Sequence, residues 1–100
     1  MDTDFLIIGS GIAGLSYALR VAEHGRVRVI TKKHSAESNT NYAQGGIAAV
    51  TDPADSFARH VEDTLVAGAG ICDPKIVKMV VAEGPGCVRE LVEMGTEFTR

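Results

Sequence analysis

The spacing of three glycines near the N-terminus constrains this chain more than any other feature. Phe5, Leu6, Ile7 and Ile8 form an apolar run, Gly9-Ser10-Gly11-Ile12-Ala13-Gly14 follows at once, and helix-compatible sequence begins without a gap. A short apolar run bounded by turn residues reads as a buried strand. Strand, G-x-G-x-x-G and helix in that order form a mechanical unit. Gly9 lets the strand turn sharply, Gly11 lets a pyrophosphate lie against bare backbone, and Gly14 lets the helix approach the strand. The helix start offers N–H groups without intrahelical partners and the positive end of its dipole, and both suit phosphate. Gly9, Ser10, Gly11, Ile12, Ala13 and Gly14 are therefore the first candidate site, for a dinucleotide.

The helix is expected from about Ile12 to His24, with Ile12, Leu15, Leu19 and Ala22 on one face and Gly25 closing it in a left-handed conformation. Val27 to Thr31 is a second apolar strand, close enough to the first to make a right-handed β-α-β unit. In such units an acidic residue near the end of the second strand often binds the ribose hydroxyls. This chain has Thr31-Lys32-Lys33 there, and Glu37 lies too far along. Two readings follow. Lys32 and Lys33 could pair with a 2′-phosphate, which favours NADP, or the adenosine ribose is held by other groups and the cofactor is a flavin dinucleotide.

Composition narrows the class. A net charge of −3 without any Lys/Arg run gives no basic surface for nucleic acid. The apolar runs are too short to span a bilayer, and no basic stretch precedes an apolar one as in a signal peptide. Cys72 and Cys87 stand apart from each other and from any histidine at ligand spacing, so no metal site is expected and reduced thiols in a cytoplasmic protein are. One hundred residues hold fewer strands than a dinucleotide fold needs, and Gly95 to Arg100 resembles the start of another extended segment. The expected fold is α/β, an incomplete Rossmann-like domain with a β-α-β start and following helices, within a longer protein.

Further along, Asp52-Pro53-Ala54-Asp55-Ser56 reads as a turn into a helix from about Ser56 to Ala67, capped by Asp55 or Ser56, with Phe57, Val61, Thr64 and Leu65 inward. His60 and Asp63 lie on adjacent turns of it; an acid–base or metal role for His60 is one reading, and a polar face near the cofactor or an exposed surface is the other. Asp73 and Pro74 are an N-cap and first-turn pair opening the next helix. Gly84-Pro85 is expected to break that helix and start another through Met94, which Gly95 closes.

Between the second strand and these helices, Ser35 to Val50 is polar and glycine-containing before turning apolar. Its hydroxyl, amide and backbone N–H groups suit the edge of a large polar heterocycle, without a catalytic acid or base. The pair GSGIAG and SNTNYAQGGIAAV, continued by HVEDTLVAGAGICD, resembles the flavoprotein family of succinate dehydrogenase, fumarate reductase and L-aspartate oxidase. The three blocks keep their order and spacing over most of the chain, and their likeness is greatest to the aspartate-oxidising branch.

That resemblance implies FAD. Ser10 to Ala13 would line the pyrophosphate, Lys32 would sit near the adenosine ribose, and Ser38, Asn39, Thr40, Asn41, Tyr42, Ala43, Gln44, Gly45 and Gly46 would run along the flavin. Asn39 occupies the position at which succinate dehydrogenases and many fumarate reductases carry the histidine that bonds covalently to the ring. An amide forms no such bond, so the implied FAD is non-covalent. The implied reaction is oxidation of L-aspartate to iminoaspartate in NAD biosynthesis, with hydride passing from the substrate Cα to flavin N5 and reoxidation by O₂ or fumarate. The family's dicarboxylate-binding and proton-moving residues come from later segments and a capping domain, so the resemblance implies no catalytic residue within residues 1–100. A soluble fumarate reductase, an NADP-dependent dehydrogenase and a nucleotide-binding module without chemistry are the alternatives.

Overall fold

The computed structural model describes residues 2–32 and 46–98. They belong to two compact units, Met1–Gly45 and Gly46–Arg100.

The first unit is β1 (Phe5–Ile8), α1 (Ile12–Val21) and β2 (Val27–Ile30). The strands are parallel, in a register that pairs Phe5 with Val27 and Ile8 with Ile30. Side chains alternate along β1 as a strand requires. Ile7 turns toward α1 and is 8% exposed, whereas Leu6 and Ile8 lie on the opposite, uncovered face, Ile8 at 81%. The first unit is thus the β-α-β arrangement the sequence predicts, with β2 one residue shorter.

At the strands' opening end, Arg26 closes the unit. Its backbone N–H donates to Asp4 Oδ2 at 2.8 Å and its Nε donates to the same oxygen at 3.3 Å. Gly25 beside it corrects an expectation. Helix α1 stops at Val21 with Ala22 as a right-handed cap, and the left-handed residues among those described are Gly9, Ala69, Gly70 and Gly95. Glycine at position 25 meets a demand for space instead. A Cβ there would come within 2.9 Å of Asp4 Cβ and Oδ2.

The second unit holds α2 (Phe57–Ala67) and α3 (Pro74–Glu93). Ser56 Oγ accepts from the Arg59 N–H at 3.1 Å, capping α2. Val61, Thr64 and Leu65 are half-buried, but Phe57 is exposed, contrary to expectation. Left-handed Ala69 and Gly70 (φ +49° and +88°) carry the chain out of α2, and Gly68 packs so closely on Cys72 that a Cβ would overlap Sγ. Asp73 Oδ1 accepts from Lys75 and Ile76 N–H, ahead of Pro74 at the first helical position.

The expected break at Gly84-Pro85 is absent. One helix of 20 residues runs through it. Pro85 brings no N–H to the bond that Val81 C=O would accept, a local cost. The inner stripe of Val77, Val81, Val88 and Leu91 nevertheless continues across it, and Val81 is buried. Packing on a continuous apolar face outweighs the break. The helix ends as expected at Gly95 (φ +101°), where Gly95 N–H donates to Val92 C=O and Thr96 N–H to Leu91 C=O, the paired bonds of a Schellman cap. Among the described residues, no helix is long and apolar enough to cross a membrane.

Candidate functional site

The two parallel strands end on the same edge of the first unit, and the glycine bend lies there between β1 and α1. Open parallel sheets bind their ligands at this edge. Each glycine of the bend answers a different requirement. Gly9 has φ +109°, a conformation that side chains rarely adopt, and its N–H donates to Ile30 C=O at 2.8 Å. Gly14 faces back across the turn, where a Cβ would stand 2.5 Å from Gly9 O and 3.2 Å from Ile7 Cγ2. Gly11 is extended at φ −75°, ψ 174°, which any residue adopts. Backbone conformation therefore does not explain the glycine at position 11.

Gly11 is also the N-cap of α1 and, lacking a side chain, leaves the helix start without a side-chain cap. No acidic residue lies in the first turn. Ile12, Ala13 and Gly14 thus form the positive end of a helix whose first turn carries no acidic side chain, an arrangement suited to phosphate. Ser10, between the glycines, is only 7% exposed, and its Oγ donates to Thr31 Oγ1 at 3.3 Å. Lys32 follows Thr31 and is exposed. The structure therefore brings Gly9 to Gly14 together with the end of β2. Sequence reasoning missed Thr31 as a partner of the bend. The available signal was a hydroxyl residue at the end of each strand, and only the strand register makes it legible.

Ser38 to Gly45 lie outside the described residues. Gly46, the first described residue of the second unit, is exposed. Within that unit His60 is half-buried on α2 and borders an almost wholly apolar cavity of about 400 Å³, with Ile47, Val77, Val81 and Leu91 among its walls. Its backbone C=O accepts from Thr64 Oγ1 at 2.7 Å. Asp63 is exposed and, with Asp55, borders a more open cavity that adjoins the first and shares His60 and Thr64 with it. Among the described residues, no three His, Cys, Asp or Glu side chains gather as a metal site. Cys72 is half-buried with its Sγ 3.9 Å from Thr64 C=O, Cys87 is exposed, and both are free thiols.

Comparison with known proteins matches residues 4–100 to the family described as FAD binding domain. The chain is similar to L-aspartate oxidase 2-a, chloroplastic, of Nicotiana tabacum, at 60% identity over 95 residues, covering 95% of this chain and 15% of that protein. It is similar to L-aspartate oxidase of Vibrio cholerae at 52% identity over 97 residues, covering 97% of this chain and 18% of that protein. Among solved structures, a mutant of E. coli quinol fumarate reductase FrdA superposes with a TM-score of 0.91 at 32% identity, over 100% of this chain and 18% of that one. This chain thus spans under a fifth of the length of each.

Proposed function

Because this chain belongs to the FAD binding domain family, we propose that it forms the N-terminal part of an FAD-dependent oxidoreductase that converts L-aspartate to iminoaspartate. The observation that carries the cofactor half of this reading is the bend, where an extended Gly11, with no side chain to cap the helix, opens a first turn that holds no acid. The family match favours flavin over the NADP reading of Lys32 and Lys33. The substrate half draws support from the names of the relatives, both of them L-aspartate oxidases.

In this reading Gly9 to Gly14 hold the diphosphate against bare backbone at the positive end of α1. Lys32 sits at the adenosine side, and Ser38 to Gly46 run along the ring system, with Gln44, Gly45 and Gly46 nearest its reactive part. Asn39 keeps that contact non-covalent. Bound FAD supplies the hydride-accepting chemistry. Over the whole reaction the substrate loses a hydride from Cα and a proton from nitrogen to give C=N, and the electrons reduce O₂ to hydrogen peroxide or fumarate to succinate. The groups that bind the dicarboxylate and move its proton belong, in this reading, to capping and C-terminal domains outside residues 1–100. The proposed location is the cytoplasm, with an organelle as the alternative suggested by the tobacco relative's name.

The test uses the whole protein. It is expected to purify yellow, to release its colour into the supernatant on acid precipitation, and to bleach anaerobically with L-aspartate but not with succinate. Bleaching by succinate alone would move the assignment to the fumarate reductase and succinate dehydrogenase type, the second reading, which the match to FrdA supports. A colourless protein that takes up no FAD would remove both.

A further inference from the structure

Two successive ties join the bend to the end of β2. The first is the backbone bond from Gly9 N–H to Ile30 C=O at 2.8 Å, which needs no particular side chain. The second, from Ser10 Oγ to Thr31 Oγ1 at 3.3 Å, needs a hydroxyl at both positions. Ser10 is 7% exposed, so water has little access to its hydroxyl. Thr31 is exposed and can be rehydrated if its partner is lost. The two ends of the bond are therefore unequal, because a buried donor without an acceptor is the costly case.

From this geometry we infer that Thr31 is a positioning residue for the phosphate bend, acting through Ser10 rather than by its own contact with the cofactor. The inference rests on the reading of the bend as the FAD site. Thr31 occupies the end of the second strand, where many dinucleotide folds place a carboxylate. A carboxylate there could also accept from Ser10, but it would set a negative charge beside the diphosphate. A neutral hydroxyl supplies the acceptor without the charge. It locks residue 10, and with it the peptide planes on either side, in the orientation that faces the anion.

The experiment measures FAD affinity of the whole apoprotein by quenching of flavin fluorescence, alongside its thermal unfolding. Thr31→Val removes the acceptor at nearly constant volume and is expected to weaken FAD binding about fivefold to tenfold. Thr31→Ser restores the acceptor and is expected to bind as wild type does. In a Ser10→Ala background, Thr31→Val is expected to change nothing further, since no buried donor is left to orphan. Wild-type affinity in Thr31→Val, failure of Thr31→Ser to rescue, or an additional loss in the double variant would each overturn the inference. If Thr31→Val alone does not fold, Ser10→Ala and the double variant carry the test, being equal in affinity if Thr31 acts through Ser10. A wild-type protein that takes up no FAD would instead overturn the reading of the site, and this inference with it.

Discussion

Gly14 stands against Gly9 so closely that a Cβ on the first would lie 2.5 Å from the carbonyl oxygen of the second. The obstacle is backbone, held in turn by the bond from Gly9 N–H to Ile30 C=O. It cannot swing aside as a side chain can. Gly14→Ala should therefore push α1 away from β1, at a cost of about 1–3 kcal/mol. The expected outcome is a lower melting temperature and a purified protein with most of its flavin missing, measured by thermal unfolding and by the flavin-to-protein absorbance ratio.

Gly11→Ala separates ligand approach from fold. The Gly11 backbone (φ −75°, ψ 174°) accepts alanine without strain. The apoprotein should then melt close to the wild-type temperature, while a methyl group where the proposed function sets the diphosphate weakens FAD binding by about tenfold or more, equivalent to about 1.4 kcal/mol. Fluorescence titration of the apoprotein with FAD checks this. An unstable variant with unchanged affinity would reverse the roles assigned to Gly11 and Gly14.

Asp4 gives the first unit a pH dependence of known sign. The Arg26 backbone N–H, and then its side chain, hold the Asp4 carboxyl below its ordinary value. A carboxylate with a folded-state pKa below its unfolded one contributes stability above the unfolded value and loses it as pH falls through the folded value. Asp4→Asn should accordingly melt below wild type at neutral pH. The gap should close as pH falls below about 4, the ordinary carboxylate range. Melting curves of both proteins across that range measure it. A gap that widens toward acid would contradict the Arg26 pairing.

Much of the first unit is legible in the sequence because its signals are local. The apolar run Phe5–Ile8, the glycine spacing and the helical period after Ile12 each depend on neighbours within a turn or two, as does the Asp73-Pro74 helix start. Distant partners decide the features that sequence reasoning misassigns. Glycine at position 25 answers to Asp4, 21 residues earlier, rather than to the helix it follows. Thr31 joins the site only because the parallel register sets the end of β2 beside Ser10. A role for Ser38 to Gly45 beside a flavin ring is readable only through resemblance and remains part of the proposed function, since a polar glycine-containing loop carries no periodicity to interpret.

Pro85 offers the sharpest contrast between local signal and packing. Read locally, Gly84-Pro85 ends one helix and starts another, and proline at a first helical position is favourable. In the fold it lies inside α3, eleven residues after Pro74, where it supplies no N–H for Val81 C=O. These placements predict opposite effects for Pro85→Ala. At a helix start the change would be neutral or destabilising. Inside a continuous helix it restores a donor and relieves a residue that costs about 3 kcal/mol in a helix interior. Because Val77, Val81, Val88 and Leu91 already hold the helix across this point, part of that cost is absorbed by adjustment. Pro85→Ala is thus expected to stabilise the protein by about 1 kcal/mol, read as a rise in the denaturant midpoint at unchanged slope. A fall in the midpoint would mean that α3 is two helices meeting at Pro85.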